Sequence, residues 1–233
     1  MLFKIDELRV TESIYPCSIL GVTESWLNKN IEDNIMRIRD MNVFRKDRDS
    51  RLGGGVIIYT DKSYNFKTTI FEFACPASYE HIWIYSSSSN LMVNIAYIPP
   101  NLRADDHKAM TKYITKCLDN HLYNFPKSNV IMIGDFNDFC TKFLVSLHNL
   151  KDLVCNYTRG NAIFDHCYVN SDLFKECSNS IILPPLGNSD HSIVYIKWHH
   201  EQCNAISNGP TSKIVKVFDY RENKPMNFAS ISL

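Results

Sequence analysis

The chain has 233 residues, 45% of them hydrophobic, which is enough to form one sizeable hydrophobic core. With 21% charged and 12% aromatic residues, the composition excludes an intrinsically disordered protein. The 25 basic residues are balanced by 25 acidic ones, which argues against a protein that binds nucleic acid mainly through a strongly basic surface, although a local basic groove remains compatible.

Hydrophobic periodicity predicts an amphipathic helix at the start of the chain, where Leu2, Ile5 and Leu8 have helical spacing. A second amphipathic helix is predicted over residues 105–121. Short apolar runs predict strands, and the serine-rich segment 86–90 predicts a hairpin turn between two of them. The predicted strands span residues 18–22, 56–59, 81–85, 91–97, 130–133, 164–169, 181–183 and 193–198.

These strands and helices are mixed without strict βαβ alternation, which predicts an α/β (α+β) fold of stacked mixed sheets with helices outside. The composition becomes polar after Trp198, and Asn208-Gly209-Pro210 is typical of a break in secondary structure. We therefore predict one folded domain over residues 1–198, followed by a linker and a weakly anchored tail over residues 199–233.

The eight cysteines include no CxxC pair and no spacing typical of a secreted disulfide framework. They are predicted to be mostly buried free thiols in a reducing compartment. The N-terminus lacks the pattern of a secretory signal, and no stretch approaches the roughly 18 apolar residues that a membrane span needs. An intracellular location, nuclear or cytoplasmic, is expected, without a membrane partner.

Four polar clusters occur next to predicted strands. Strand ends are where a sheet protein gathers a site, because the strands fix position and the loops leave room for a ligand. The clusters are Glu24 after residues 19–22, Asp135 and Asn137 after residues 130–133, Asp165 at the start of residues 164–169, and Ser189-Asp190-His191 before residues 193–198.

Each cluster also has a purely structural interpretation. Glu24 fits a turn cap before Trp26, and the segment 134–137 fits an ordinary turn, since Gly, Asp and Asn all favour turns. Asp165 fits a solvated strand end, and the segment 189–191 fits a helix cap or a loop. The functional interpretation is favoured because the structural one requires several independent coincidences in order along the chain.

The residue types in these clusters fit the hydrolysis of a phosphodiester. Mg²⁺ prefers oxygen ligands and is usually bound by one or two carboxylates, for which Glu24 and Asp190 are the candidates. The reaction also needs a water aimed at phosphorus and donors for the charge on the phosphoryl oxygens. Asp135 is the candidate that orients and deprotonates the water, and Asn137 is a candidate donor.

Two further donors to the phosphate are predicted. His191, oriented by a carboxylate such as Asp165, can donate as an imidazolium. Tyr97 can donate from its phenolic hydroxyl. Together with the candidates above, these residues fit metal-assisted phosphodiester hydrolysis.

In this order the motifs resemble the endonuclease/exonuclease/phosphatase superfamily, and most of all the apurinic-type endonuclease domain of LINE-type (non-LTR) retrotransposon polyproteins. The resemblance covers roughly residues 1–198, and no single motif is specific by itself. The segments that carry it are Thr23 to Leu27, Arg51 to Val56, Tyr97 to Pro100, Gly134 to Asn137, Tyr157 to Asn161, Asp165 to Tyr168, and Leu183 to His191.

The resemblance implies a DNase I-like, four-layer sandwich with the site at one edge of two stacked sheets. It implies a Mg²⁺-dependent endonuclease, with Mn²⁺ as a possible alternative ion, that nicks DNA so that the freed 3′ hydroxyl primes reverse transcription. Residues 213–218 resemble the connector before a reverse transcriptase domain, which would be a partner in the full-length element. Glu24 and Asp190 match the family's metal-side carboxylates.

The other matched positions are Tyr97, which contacts the scissile phosphate in the family, and Asp135 and Asn137, which position the nucleophile and stabilise the phosphate. Asp165 matches the aspartate that orients the histidine, and His191 matches that histidine.

The chain departs from the family at its start. Family members open with a strand that ends in an asparagine, whereas Met1 falls at the first predicted helix. The resemblance therefore implies a missing central strand, with a loss of about 1 kcal/mol for each unpaired ladder bond, and a missing amide at the site. Reduced stability and weak or absent activity are expected.

The sequence leaves two alternative functions open. The chain could be an enzyme of another branch of the superfamily, acting on lipid head groups, inositol phosphates or RNA tails, or it could be a non-catalytic relic or binding module.

Overall fold

The computed structural model describes residues 4–48, 53–199 and 212–219, and for residues 199 and 212–219 it describes the backbone alone. The helices are α1 Ile5–Ile14, α2 Ala104–Asn124, α3 Lys142–His148 and α4 Ser171–Glu176. The strands are β1 Ile19–Thr23, β2 Met41–Lys46, β3 Val56–Asp61, β4 Lys67–Thr68, β5 Glu80–Ser86, β6 Leu91–Tyr97, β7 Asn129–Asp135, β8 Leu150–Asp152, β9 Asp165–Asn170, β10 Ile181–Leu183, β11 Ile193–His199 and β12 Ser212–Asp219.

The strands form two stacked sheets of six strands each. The first sheet has the order β10-β11-β12-β1-β3-β2, and the second has the order β4-β5-β6-β7-β9-β8. One hydrophobic cluster fills the space between the sheets, a second joins α1 to the outer face of the first sheet, and a third joins α2 to the outer face of the second. The predicted α/β fold of two stacked mixed sheets flanked by helices is confirmed.

Strand β1 is buried on both faces because it lies within these layers. Ile19 belongs to the cluster between the sheets, whereas Leu20 and Val22 pack on the α1 side. Gly21 lies where the two sheets approach each other, and a Cβ added to it would be only 2.6 Å from Cδ1 of Ile133 in β7. The missing side chain of Gly21 therefore lets β1 and β7 pack closely, just before the ends of both strands.

Strand β12 occupies the centre of the first sheet. It pairs in parallel with β1, with Thr23 opposite Asp219, and antiparallel with β11, with Val194 opposite Val217. The sequence analysis assigned this stretch to a weakly anchored tail and expected a gap at the centre of a sheet. That expectation is wrong for residues 212–219, because β1 has a ladder partner on each side, β12 and β3. The loss of stability expected from unpaired neighbours therefore has no basis in this sheet.

The sequence analysis did not predict several short or half-exposed helices and strands. Strand β2 is half-exposed and carries asparagine, arginine and lysine, so it lacks a clear apolar pattern. Strands β4 and β8 have two and three residues, and helices α3 and α4 have seven and six, which is too short to show a period.

All seven cysteines within the described ranges are free thiols, as predicted. The expectation that most are buried is wrong, since Cys117 and Cys167 are buried but Cys75, Cys140 and Cys155 are exposed. Cys203 lies outside the described residues. No helix in the described part of the chain combines the length and the apolar character needed to cross a membrane.

Candidate functional site

Tyr97, Asp135 and Asp165 stand side by side on three neighbouring strands of the second sheet. Tyr97 at the end of β6 is opposite Asp135 at the end of β7, and Asp135 is opposite Asp165 at the start of β9. Register partners share one face of a sheet, and Ile133, two residues before Asp135, belongs to the cluster between the sheets. The row of three buried side chains therefore faces the first sheet.

His191 connects the first sheet to this row. It lies just before β11, and its Nδ1 is 2.8 Å from Oδ2 of Asp165. A carboxylate only accepts hydrogen bonds, so Nδ1 carries the proton. The two side chains are 0% and 1% exposed, which removes the pair from solvent. The potential ligand atoms of Asp135, Asp165 and His191 lie within 4.8 Å of one another. Strand ends from both sheets thus meet at one buried acidic site.

The turn after β7 directs Asn137 onto Asp135. The backbone N–H of Asn137 donates to Oδ1 of Asp135 at 2.9 Å, and its Nδ2 donates to Oδ2 at 2.9 Å and to the carbonyl of Ile98 at 2.8 Å. Gly134 enters this turn with φ of +143°, and a Cβ there would overlap the carbonyl oxygen of Ala96. In this conformation one side-chain amide hydrogen of Asn137 binds Asp135 and the other binds the carbonyl of Ile98, which differs from the predicted donation to a phosphate.

Glu24 lies at the same end of the first sheet, directly after β1, and is buried. Its Oε2 accepts hydrogen bonds from the backbone N–H of Gly54 at 2.7 Å and from Nε1 of Trp26 at 2.8 Å. The glycine loop that supplies Gly54 precedes β3, and both Gly54 and Gly55 have positive φ values, +76° and +83°. Left-handed backbone of this kind favours glycine, which gives the glycine run a physical role in positioning Glu24.

Arg48 and Glu80 are site residues that the sequence analysis missed. Arg48 forms an ion pair with Glu80, and its Cζ lies 5.8 Å from the centre of the Tyr97 ring. Glu80, opposite Tyr97 in the β5–β6 ladder, also accepts a hydrogen bond from the N–H of Gly55 at 2.5 Å. These contacts join the glycine loop to the second sheet and bring a cation beside Tyr97. No signal in the sequence marks them, because the pairing depends on how the sheets stack.

Asp190 is paired with an arginine in this structure. Its Oδ2 is 2.6 Å from Nη2 of Arg159, while its Oδ1 is buried without a hydrogen-bond partner among the described residues. The Arg159 loop is anchored by Thr158, whose Oγ1 accepts from the N–H of Asp165 at 3.2 Å and whose carbonyl accepts from the N–H of Ser192 at 2.7 Å. Residues 158–160, within the segment 157–161 that carries the family resemblance, therefore adjoin the candidate site.

The donor set suits a hard divalent cation. Oδ1 of Asp165 and Oδ1 of Asp190 are buried carboxylate oxygens without a partner in the described part of the chain, and oxygen ligands are what Mg²⁺ prefers. Within the described ranges, Glu24 and Asp190 lie outside the compact group of Asp135, Asp165 and His191. The structure therefore places the seven predicted site residues at one end of the sandwich, with Asp135, Asp165 and His191 as the compact group and the other four around it.

Comparison with known proteins gives matches in three-dimensional structure alone. No family model matches the chain, and no curated protein sequence matches it. An apurinic endonuclease from Leishmania major has a TM-score of 0.61 and 14% identity, and the match covers 82% of each chain. The endonuclease domain of TRAS1, a telomere-specific non-LTR retrotransposon, has a TM-score of 0.56 and 13% identity, with 85% of this chain and 94% of that domain covered.

A third similar structure is an endonuclease/exonuclease/phosphatase from Bacteroides vulgatus, with a TM-score of 0.58 and 10% identity over 84% of this chain and 90% of that one. Each match spans most of both chains, so the likeness extends over the whole sandwich. The chain has the fold of the endonuclease/exonuclease/phosphatase superfamily.

Proposed function

We propose that the chain is a divalent-metal-dependent phosphodiesterase that nicks DNA, as the endonuclease domain of a non-LTR retrotransposon. The observation that carries the proposal is the buried group of Asp135, Asp165 and His191 at the joined strand ends of two sheets. The fold is that of nucleases and phosphatases, and one similar structure is a retrotransposon endonuclease domain.

Asp135 is the residue that orients and deprotonates the attacking water. Two hydrogen bonds from Asn137 fix its carboxylate in one orientation, so the base does not have to reorganise during the reaction. The catalytic contribution of Asn137 is thus indirect in this conformation. The phenolic hydroxyl of Tyr97, next to Asp135 in the ladder, serves as a donor to a phosphoryl oxygen.

His191 is the residue that donates to the phosphate. Asp165 binds the Nδ1 proton, which leaves Nε2 as the nitrogen that exchanges a proton or a hydrogen bond with a ligand. The carboxylate also stabilises the imidazolium when charge develops on the phosphoryl oxygens. Burial strengthens this effect, because the pair is shielded from water.

A divalent cation at this site would be bound by Asp190 and Glu24, with Asp165 as a further oxygen donor, and when bound it would neutralise charge on the phosphate. Mg²⁺ is proposed, with Mn²⁺ as the alternative. The proposed substrate is DNA, and the proposed partner in a full-length element is a reverse transcriptase domain. This role requires action where DNA or its reverse transcript is present, in the nucleus or the cytoplasm.

The experiment is a nicking assay on supercoiled plasmid with Mg²⁺, with and without EDTA. The parent chain is expected to produce open circles only with the ion, and His191→Ala and Asp135→Asn are expected to lose that product. Sphingomyelin and a phosphoinositide, tested in parallel, address the other branches of the superfamily. The absence of EDTA-sensitive nicking from folded parent protein would refute the proposal and favour a non-catalytic binding module.

A further inference from the structure

Arg159 is placed so that it competes directly with a cation for Asp190. The two side chains form an ion pair of 2.6 Å and are about one third exposed, 35% for Arg159 and 28% for Asp190. The guanidinium also lies over an aromatic ring, with its Cζ 5.9 Å from the centre of Phe164. This arginine is therefore a partly solvated cation at the mouth of a buried acidic site.

The loop that carries Arg159 is closed by backbone hydrogen bonds at its base and is open at its tip. Thr158 and Arg159 both donate to the carbonyl of Ala162, at 2.9 and 3.1 Å, and Ala162 donates back to Arg159 at 3.0 Å. Gly160 at the tip has φ of +53°, and a Cβ added there would meet nothing within 4 Å. The backbone of Arg159 is therefore held by hydrogen bonds within its own turn, while its side chain remains 35% exposed.

The ion pair leaves Asp190 incompletely satisfied. One carboxylate oxygen binds Arg159, and the other is buried without a partner among the described residues. A buried carboxylate oxygen without a partner is unfavourable, whereas an oxygen-coordinated cation would satisfy it. A guanidinium at 2.6 Å would repel that cation, so Arg159 and the cation oppose each other at Asp190.

We infer that Arg159 is a substrate-binding residue that exchanges partners. It neutralises Asp190 in the ligand-free protein, and it moves to a backbone phosphate of the bound nucleic acid when a divalent cation binds Asp190. Guanidinium groups form bidentate hydrogen bonds with phosphate as readily as with carboxylate, so the same side chain suits both partners. This inference rests on the proposed function, because it assumes a phosphodiester substrate and a divalent ion.

The exchange predicts changes of opposite sign when the guanidinium is removed. Without Arg159, a cation no longer has to displace a competitor from Asp190, so the affinity for the ion rises. The phosphate loses a charged donor, so the affinity for DNA falls. An arginine that only maintains the shape of the site would lower both affinities together.

The test uses the full chain as parent, Arg159→Ala and Arg159→Gln. Mn²⁺ binding without DNA is measured by calorimetry, and duplex binding is measured by fluorescence anisotropy in Ca²⁺ over a series of salt concentrations. Both variants are expected to bind Mn²⁺ about two- to fivefold more tightly, as expected for loss of a partly exposed ion pair. They are expected to bind DNA roughly tenfold more weakly, with the salt slope reduced by about one.

The matched control is Arg39→Ala. Arg39 also forms an arginine–aspartate pair, with Asp40 at 3.3 Å, but it is 95% exposed. It lies just before β2, whose first residue pairs with the end of β3 that is remote from the glycine loop. Arg39→Ala should change neither the affinity for Mn²⁺ nor the affinity for DNA. Suppose that the parent nicks DNA but the Arg159 variants lose affinity for both Mn²⁺ and DNA, or keep the salt slope of the parent. The proposed role of Arg159 is then refuted, while the proposed function is not. If the parent neither binds Mn²⁺ nor nicks DNA, the proposed function fails, and the partner exchange fails with it.

Arg159→Lys covers the case in which the neutral variants do not fold. Lysine keeps the positive charge but lacks the bidentate geometry. It is expected to keep the Mn²⁺ affinity and the salt slope of the parent and to bind DNA several-fold more weakly. A lysine variant that binds DNA as tightly as the parent would refute the bidentate phosphate contact.

Discussion

The substitution Asp165→Asn tests whether the buried aspartate–histidine pair performs chemistry. The carboxylate of Asp165 accepts the Nδ1 proton of His191 at 2.8 Å, and both side chains are excluded from water. Asparagine has nearly the same shape, but it removes the negative charge that stabilises an imidazolium. With the imidazole oriented as before, the loss falls on the charged form of His191 and therefore on the transition state.

The structure sets the size of the effect. With charge centres about 4 Å apart and an effective dielectric constant of about 20, the attraction between Asp165 and protonated His191 amounts to about 4 kcal/mol. This corresponds to a loss of roughly a thousandfold in the nicking rate, within the range of about 10²–10⁴ for general acid–base groups. Because Oδ1 of Asp165 has no partner among the described residues, the new NH₂ group also costs about 1–3 kcal/mol of stability.

The assay compares the nicking rate with the free energy of unfolding, measured by urea denaturation for the same preparations. Asp152→Asn is the matched control, because Asp152 binds Nδ1 of His166 at 2.5 Å in a second aspartate–histidine pair. The control is expected to lose stability and keep the parent's nicking rate. A folded Asp165→Asn protein that nicks as fast as the parent would refute the catalytic role of the pair.

Three further predictions concern the stability of the fold. Gly134→Ala is expected to lower the free energy of unfolding, measured by urea denaturation, by about 3 kcal/mol or more, because φ is +143° and the new Cβ overlaps the carbonyl oxygen of Ala96. A loss below about 1 kcal/mol would contradict this geometry. Lys216→Pro is expected to lower the free energy of unfolding by about 3 kcal/mol or more, because proline removes a ladder hydrogen bond from the central strand β12. An unchanged midpoint of urea denaturation would mean that β12 does not stabilise the sheet. Burial lowers the pKa of His81 to about 3 and that of His121 to about 4, so both stay neutral in the folded protein when their unfolded counterparts bind protons below about pH 6.5. The free energy of unfolding should therefore fall as the pH decreases from about 6.5 toward 3. His81→Gln should show a shallower fall over the same range, and an equal slope would refute the assignment.

The sequence alone predicted much of the fold and the candidate site. Apolar runs of strand length are local patterns, and the polar residues beside them marked the strand ends where Asp135, Asp165 and His191 meet. The long helix was predicted over residues 105–121 and is observed over Ala104–Asn124, because its apolar stripe packs on a sheet. Signals of this kind depend only on neighbouring residues, so they can be read without knowing the partners of each element.

Tertiary structure alone decided which strands are neighbours and which charges are paired. The polar composition after Trp198 predicted a tail, but β12 pairs with β1 and β11, and these pairings are set by the tertiary structure. The pairing of Arg159 with Asp190 likewise depends on contacts between distant segments. Strand order and ion pairing arise from long-range packing and backbone hydrogen bonding, which leave no periodic trace in a single segment of sequence.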